Sequence, residues 1–184
     1  MRLGIDLDGV VADFNSGWMK LYNAEFSAAL EAHQVIEWDG LYSLTHFGST
    51  GDFWTWARGT DRPSIFRNLD TFPGALETLE SLSLDHQIVI ITTKPRWAIP
   101  DTFAWIGDKR IPTREVHITR RKWEVECHVY LEDSPAHLPA IVARRPEATV
   151  CRFVRSWNDP VPGAHDISDW QDFANFVAEL QESP

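Results

Sequence analysis

Cysteine and long apolar runs are both scarce in this sequence. Only two of its 184 residues are cysteines, Cys127 and Cys151, and they form no CxxC pair. A disulfide scaffold or a structural zinc site is therefore not supported, and we expect two buried free thiols. No apolar run approaches the roughly 20 residues that span a bilayer, and the first residues read as a strand rather than a signal peptide. We expect a cytoplasmic protein with no membrane partner.

Positive charge is scarce as well, since 17 Lys and Arg stand against 27 Asp and Glu and the net charge is −10. Binding to polymeric nucleic acid requires clustered basic residues, so the net charge argues against this class of partner, and we expect none. A small phosphate ester is not excluded, because a local cation and one or two lysines can outweigh the global field within a cleft. The seven histidines are scattered without ligand spacing, and none is predicted to be catalytic.

Apolar, strand-like runs recur along the chain with helical patterns between most of them, at residues 3–7, 88–91, 116–118, 129–131 and 149–154. This alternation predicts an α/β fold, a Rossmann-like three-layer sandwich with a parallel sheet and helices on both faces. One helix is predicted to begin after Gly74, a second after Pro135, and a terminal helix at a capping box of Ser168 and Gln171.

No strand-like apolar run is recognised between residues 15 and 69, where aromatic residues are frequent. A segment of this length without a strand is too long for an ordinary connection within an α/β pattern. We predict that residues 15–69 form a small helical cap inserted after the first strand. Residues 1–14 and 70–184 would then form the core.

Two carboxylates, Asp6 and Asp8, follow the first predicted strand in the stretch DLDGV. Alternate residues of a strand project from one side, and Gly9 permits a turn that lets both acids converge at the sheet edge where α/β folds bind ligands. Like charges this close are costly unless a cation or a shared proton offsets them. The stretch indicates a metal site, a catalytic pair, or both; an inert solvated turn is the alternative.

Three further polar groups stand at or near the ends of later predicted strands. Thr93 and Lys94 offer hydroxyl and N–H groups to phosphate oxygens, although threonine is also common in strands for packing. Lys122 is a compact cation suited to a phosphoryl group, or else a solvated charge. Glu132 and Asp133 form an oxygen-rich pair of the kind that binds Mg²⁺, although Asp133 also suits the N-cap of the next helix.

In this order and spacing the motifs resemble those of the haloacid dehalogenase superfamily of phosphohydrolases, and within it the 5'(3')-deoxyribonucleotidase family. The resemblance rests on DLDGVVADF (6–14), TFPGAL (71–76), TKP (93–95), HITRRK (117–122), LEDSP (131–135) and WN (157–158). These stretches cover the core well, whereas residues 15–68 show little that matches the family.

The resemblance implies an α/β phosphatase with Asp6 as the nucleophile and Asp8 as the general acid and base. Asp8 would protonate the leaving oxygen and then activate water against an aspartyl-phosphate. The cofactor implied is Mg²⁺, bound by Asp6, the backbone carbonyl of Asp8, and Asp133. Glu132 stands where the family more often has aspartate, and its extra methylene favours an outer-sphere position.

The resemblance also implies the phosphate site and one substrate contact. Thr93 and the amide of Lys94 would bind phosphate, and Lys122 would complete the charge balance. Lys94 replaces the usual serine, so its side chain either adds a phosphate contact or faces solvent. Phe14 matches the family position that stacks on a base.

The expected function is a Mg²⁺-dependent phosphatase for small phosphomonoesters, with a (deoxy)ribonucleoside monophosphate as the favoured substrate. The alternatives are a phosphatase for a non-nucleotide ester and a non-hydrolytic nucleotide-binding module on the same fold. The sequence leaves open whether the chain forms a homodimer. The cap should decide the substrate, with Phe14 at the mouth of the site. Phe53, Trp54 and Trp56 with Arg58 are expected to form the opposite wall.

Overall fold

The computed structural model describes residues 1–182. Within this range six parallel strands form one sheet: β1 (Arg2–Ile5), β2 (Gln87–Thr92), β3 (Glu115–Ile118), β4 (Val129–Glu132), β5 (Thr149–Phe153) and β6 (Ala164–Ile167). Their order across the sheet is β3-β2-β1-β4-β5-β6. Since β1 lies between β2 and β4, the polar residues that follow these three strands meet at the middle of one sheet edge.

Six α-helices accompany the sheet within the described range: α1 (Phe14–Phe26), α2 (Thr50–Arg58), α3 (Ala75–Leu82), α4 (Ile99–Asp108), α5 (Leu138–Arg144) and α6 (Trp170–Glu182). Short 3-10 helices occur at Ala32–Gln34, Leu41–Leu44, Ile65–Arg67, Arg96–Ala98 and Lys122–Glu124. Among these helices, none has the length and apolar composition needed to cross a membrane.

The side chains of the strands alternate between two hydrophobic cores. Ile88 and Ile90 of β2 enter the first core, which contains side chains of α3, α4 and α6, whereas Val89 and Ile91 enter the second, which contains those of α5. Both faces of a parallel sheet must be covered because both are apolar. The predicted three-layer α/β sandwich with a parallel sheet is therefore confirmed.

Two local features differ from the sequence predictions. Strand β6 was not predicted, because its His165 and Asp166 are exposed at the sheet edge and leave no apolar run. The N-cap of α6 lies one residue later than predicted, at Asp169. Asp169 Oδ1 accepts from Asp172 N at 2.8 Å, and Asp172 Oδ2 accepts from Ser168 N at 2.8 Å. Aspartate carboxylates therefore replace the predicted Ser168 and Gln171 side chains.

The segment that follows β1 contains α1, α2 and three of the 3-10 helices, and residues 15–69 contain no strand. It is joined to the sheet by two adjacent chain segments: Asp13 N donates to Asp70 O at 2.9 Å, and Phe72 N donates to Val11 O at 2.9 Å. This arrangement agrees with a helical cap inserted after the first strand. Its exact limits, residues 15–69, stay a prediction.

Most aromatic side chains of the cap pack against one another. Trp18 and Phe53 are fully buried and meet edge to face, with ring centroids 5.3 Å apart. The Tyr22 hydroxyl accepts from His46 N at 2.8 Å, which attaches α1 to the loop before α2. Packing of the cap interior therefore accounts for many of the aromatic residues in this segment.

Candidate active site

The loop after β1 brings its two acids to the centre of the sheet edge. Asp6 N donates to Leu131 O at 3.1 Å, and Leu7 O accepts from the amides of three following residues. Gly9 has φ +82, and a Cβ at this position would lie 2.1 Å from Asp133 Oδ2. Glycine is therefore required both for the turn and for the close approach of this loop to Asp133.

Lys122 lies between the two acidic segments. Its Nζ is 2.9 Å from Asp6 Oδ1 and 2.5 Å from Glu132 Oε2, and all three side chains are buried. Burial lowers the pKa of Lys122, but the carboxylates of Asp6 and Glu132 more than compensate and raise it. Lys122 is therefore a permanent cation beside Asp6, and the alternative of a solvated surface charge is wrong.

Asp133 is fully buried and is held from the loop after β5. Its Oδ2 accepts from Trp157 Nε1 at 2.9 Å, and its backbone carbonyl accepts from Asn158 Nδ2 at 2.7 Å. Within residues 1–182, Asp133 Oδ1 has no hydrogen-bond partner. Burial and the negative charges of Asp6 and Glu132 raise the pKa of Asp133 well above its usual value. These observations describe a carboxylate oxygen that needs a positive partner.

The acidic cluster fits a hard divalent cation. One carboxylate oxygen from each of Asp6, Glu132 and Asp133 lies within 4.8 Å of the others, and all three residues are buried. Both oxygens of Glu132 are already engaged, one by Lys122 and the other by Ser134 N at 3.0 Å. The unpartnered Oδ1 of Asp133 and the carboxylate of Asp6 are therefore the oxygens best placed to hold a cation.

Asp8 is paired with Lys94. Lys94 Nζ donates to Asp8 Oδ2 and lies 4.1 Å from the ring centroid of Phe66, and the Lys94 side chain is 2% exposed. The expectation that Lys94 could face solvent is thus wrong. Burial and the neighbouring Asp6 raise the pKa of Asp8, whereas Lys94 lowers it. Asp8 and Asp6 consequently have different cationic partners, since Lys94 donates to Asp8 whereas Lys122 lies against Asp6.

Thr93 lies at the same edge, but its hydroxyl already has partners. Its Oγ1 donates to Thr119 O at 2.9 Å and lies 3.3 Å from His137 Nε2. His137 and Arg120 also face the site, and no pattern in the sequence distinguished them from surface residues. Arg120 follows β3 and His137 follows β4, and these positions bring both side chains to the site.

A cavity of about 780 Å³ extends from this edge toward the cap. The residues predicted to carry catalysis, to bind phosphate and metal and to stack on a base all line it: Asp6, Asp8, Phe14, Thr93, Lys94, Lys122 and Asp133. The structure therefore brings together side chains that are up to 127 positions apart, from Asp6 to Asp133.

The cap contributes an aromatic wall to this cavity. The Phe14 ring stacks on Phe66 with centroids 5.5 Å apart, and Trp54 and Trp97 complete the wall. Of the wall predicted from α2, Trp54 alone is among the described residues that line the cavity. Phe53 is buried inside the cap, Trp56 Nε1 donates to Glu25 Oε2 at 2.9 Å, and Arg58 is exposed at the end of α2; their predicted place in the wall is wrong.

An acidic loop after the central strand β1, with the buried Lys122 and the acidic pair of Glu132 and Asp133 beside it, places the protein in the class of haloacid-dehalogenase-type hydrolases. Solved structures agree with this fold. A hydrolase of this type from Bacillus subtilis, determined with bound magnesium, superposes with a TM-score of 0.66 at 10% identity, covering 96% of this chain and 97% of that one. The L-2-haloacid dehalogenase of Xanthobacter autotrophicus gives 0.61 at 8% identity, covering 97% and 98%.

Sequence comparison identifies the family. Residues 1–181 match the family model of the 5' nucleotidase, deoxy (pyrimidine), cytosolic type C proteins, and the chain belongs to this family. A provisionally named 5'(3')-deoxyribonucleotidase of Chlorobaculum tepidum is 27% identical over 95% of this chain and 89% of its own length. The mitochondrial 5'(3')-deoxyribonucleotidase of Homo sapiens is 26% identical over 73% of this chain and 63% of its own. The chain is thus an enzyme of the phosphoric monoester hydrolase class, as the sequence motifs predicted.

Proposed function

We propose that this enzyme is a Mg²⁺-dependent 5'-nucleotidase that hydrolyses (deoxy)ribonucleoside monophosphates through an aspartyl-phosphate on Asp6. The observation that carries the proposal is the contact of Asp6 with the buried Lys122 ammonium, in the same cavity as Asp8 and an aromatic wall. The cavity therefore combines a carboxylate nucleophile, a proton donor and an apolar surface.

In the first step the Asp6 carboxylate attacks phosphorus, and the bond from phosphorus to the ester oxygen breaks. Burial raises the pKa of Asp8, so that Asp8 enters this step protonated and gives its proton to the departing oxygen. The nucleoside then leaves as an alcohol. In the second step Asp8 removes a proton from water, which attacks the aspartyl-phosphate and releases inorganic phosphate and the Asp6 carboxylate. Splitting the reaction in this way returns both acids to their starting states.

Lys122 and Lys94 provide the fixed positive charge for these steps. Lys122 contacts Asp6 and offsets the negative charge that accumulates when a phosphoryl group approaches it. Lys94 holds the Asp8 carboxylate through a hydrogen bond, and its backbone amide with Thr93 is proposed to bind phosphate oxygens. Arg120 lines the cavity as a further cation for the same group.

Mg²⁺ is the cofactor proposed for this site. Asp6, Asp133 and the backbone carbonyl of Asp8 would hold it, and the unpartnered Asp133 Oδ1 supports this set. When bound, Mg²⁺ would neutralise phosphoryl oxygens and orient them toward Asp6. The magnesium bound by the Bacillus subtilis hydrolase of the same fold supports the choice of metal.

The substrate class is inferred from the cavity wall and from the names of the relatives. The rings of Phe14, Phe66 and Trp54 present an apolar surface to the cavity. We call the part of the cavity at Thr93 and Lys94, where phosphate is proposed to bind, its phosphate end. A base stacked on the aromatic surface gains about 1–3 kcal/mol. Two relatives bear the name 5'(3')-deoxyribonucleotidase. The net charge of −10 supports a small phosphorylated partner over a nucleic-acid polymer.

Phosphate release from a panel of nucleoside monophosphates and sugar phosphates tests the proposal, in Mg²⁺ and in excess chelator. We expect turnover of the nucleotides that the chelator abolishes and added Mg²⁺ restores. Sugar phosphates that are better substrates than every nucleotide would favour a non-nucleotide phosphatase instead. Tight nucleotide binding without hydrolysis would identify a binding module.

The metal site has a separate test that does not depend on turnover. Mg²⁺ should raise the thermal midpoint of the wild-type chain, because a ligand that binds only the folded state stabilises it. Asp133→Asn should abolish most of this increase, whereas Asp85→Asn, at the exposed opposite end of β2, should retain it. An equal increase in all three proteins would reject the assigned ligands.

A further inference from the structure

The hydroxyl of Thr93 has one hydrogen and two neighbours. Thr119 O, 2.9 Å away, is a backbone carbonyl and can only accept, so the Thr93 hydrogen is directed to it. The second neighbour, His137 Nε2 at 3.3 Å, can bond to Thr93 Oγ1 only as a donor. The hydrogen-bond geometry therefore assigns the Nε2–H tautomer to His137.

The surroundings of His137 keep it in a single protonation state. Burial, followed by the positive charge of Lys122, lowers its pKa to about 4, and Arg120 acts in the same direction against the opposing charge of Asp6. The imidazole is thus neutral at pH 7, with one proton. That proton is the one directed to Thr93.

We propose that His137 is a positioning residue for phosphate binding, which holds Thr93 Oγ1 in place while the Thr93 hydrogen turns from Thr119 O to a phosphate oxygen. The inference rests on the proposed function, because it assumes that phosphate enters beside Thr93. In the free protein the hydrogen of Thr93 is engaged by the Thr119 carbonyl, so an entering phosphate must compete for it. A donor that bonds to the oxygen in both states leaves the hydrogen free to turn.

The location of His137 favours a role in phosphate binding over a purely structural role. His137 is only half-buried and lies on the cavity surface, at the N-terminal end of α5. Its contact with Thr93 joins the segment before α5 to the end of β2 at the phosphate end of the cavity. Loss of the contact should therefore affect phosphate affinity more than folding.

The tautomer is tested by nitrogen NMR of the histidine-labelled protein at pH 7 without metal or substrate. We expect the chemical shifts of His137 to report a protonated Nε2 and an unprotonated Nδ1. A protonated Nδ1 with an unprotonated Nε2 would overturn the proposal, because His137 could not then donate to Thr93. This measurement is independent of any enzymatic activity.

The positioning role is tested by calorimetric titration with inorganic phosphate in the presence of Mg²⁺. The amide nitrogen of glutamine can occupy the position of the imidazole Nε2, whereas that of asparagine reaches only the position of Nδ1. We therefore expect His137→Gln to bind phosphate within about twofold of wild type, and His137→Asn and His137→Leu to bind it about two- to tenfold more weakly, as for the loss of one neutral hydrogen bond. His165→Gln, exposed on β6, is the matched control and should not differ from wild type.

The route through Thr93 is tested by repeating His137→Asn in a Thr93→Val background. If His137 acts through the Thr93 oxygen, the second substitution should cost little once that oxygen is gone. An equal loss in both backgrounds, or equal phosphate affinity of the Gln and Asn variants, would overturn the proposal.

The outcome is separable from that of the proposed function. If the variants rank as expected in phosphate binding but no nucleotide is turned over, the role of His137 is retained and the proposed nucleotidase activity is rejected. Nucleotide turnover with phosphate affinities that do not depend on residue 137 would do the reverse. Absence of phosphate binding to the wild-type chain would reject the role of His137.

Discussion

Lys94 and Asp8, 86 positions apart in the sequence, form an ion pair at the adjacent ends of β1 and β2. The Lys94 side chain is 2% exposed and the Asp8 side chain 22% exposed, so neither charge is well hydrated. A buried charge is costly when its partner is removed, because the remaining ion has lost water and gained nothing in return. The pair therefore links the stability of the fold to the proposed acid and base.

Lys94→Met should lower the free energy of unfolding by about 1–3 kcal/mol, the cost of a buried polar group left without its partner. In an Asp8→Asn background the same substitution should cost less, with a coupling of at least about 0.5 kcal/mol. Urea denaturation of the four proteins measures both quantities. Lys20→Met, on the exposed face of α1, is the control and should change stability by less than about 0.5 kcal/mol. Identical losses in both backgrounds would contradict the pairing.

Asp6→Asn should abolish both turnover and the aspartyl-phosphate, because an amide is a poor nucleophile. Asp8→Asn should instead slow leaving-group departure while retaining Mg²⁺ binding through its backbone carbonyl. Phosphate-release assays and mass spectrometry of acid-quenched protein distinguish the two variants, with Asp85→Asn as the control. If Asp6→Asn retained even about a tenth of the activity, the nucleophile would have to be another group.

Phe14→Ala should lower kcat/KM for a nucleoside monophosphate by about tenfold or more, equivalent to about 1.4 kcal/mol, because the base loses its stacking surface. The loss should be much smaller for an ester without a ring, such as glycerol phosphate. Since Phe14 also stacks on Phe66, the ringless ester reports any general disturbance of the wall. Phe103→Ala, 48% exposed on α4, is the control. Equal losses on the two esters would show that Phe14 is structural.

Mild alkylation of the folded protein at pH 8 should leave activity unchanged. Burial raises the pKa of Cys127 to about 11 and that of Cys151 to about 12, so both thiols are neutral at this pH and the reactive thiolate is scarce. Both cysteines should react once the chain is unfolded in urea, which mass spectrometry detects. A sharp loss of activity on labelling the folded chain would assign one of them a role in the site.

The sequence was sufficient for five of the strands and for placing Asp6, Asp8, Thr93, Lys94, Lys122 and Asp133 at one edge of the sheet. Five of the six strands within residues 1–182 contain apolar, strand-like runs, although His117 interrupts the run in β3 and Arg152 interrupts that in β5. The site residues after β1, β2 and β4 stand where the runs of these three strands end. Strand β6 was missed because an edge strand needs only one buried face and tolerates exposed polar residues. The position of the N-cap of α6 was also missed, since serine and aspartate are equivalent N-cap candidates from composition alone.

The sequence did not reveal which side chains pair with each other within the site. Lys94 meets Asp8 because β1 and β2 are neighbours in register, with Ile5 opposite Ile90, and no local pattern specifies that neighbour. His137 is one of seven histidines without ligand spacing, and only the approach of α5 to the end of β2 brings it to Thr93. Tertiary packing likewise decides that Trp54 faces the cavity while Trp56 turns to Glu25.

The sequence by itself thus determined which kinds of groups this protein carries and which strand ends present them, because apolar periodicity and the residues that interrupt it are local properties of the chain. Only the tertiary structure decided which carboxylate meets which lysine, which oxygen of Asp133 is left without a partner, and which aromatic rings form the wall. These outcomes depend on contacts between segments far apart in sequence, where burial removes water and makes each charge depend on its neighbour.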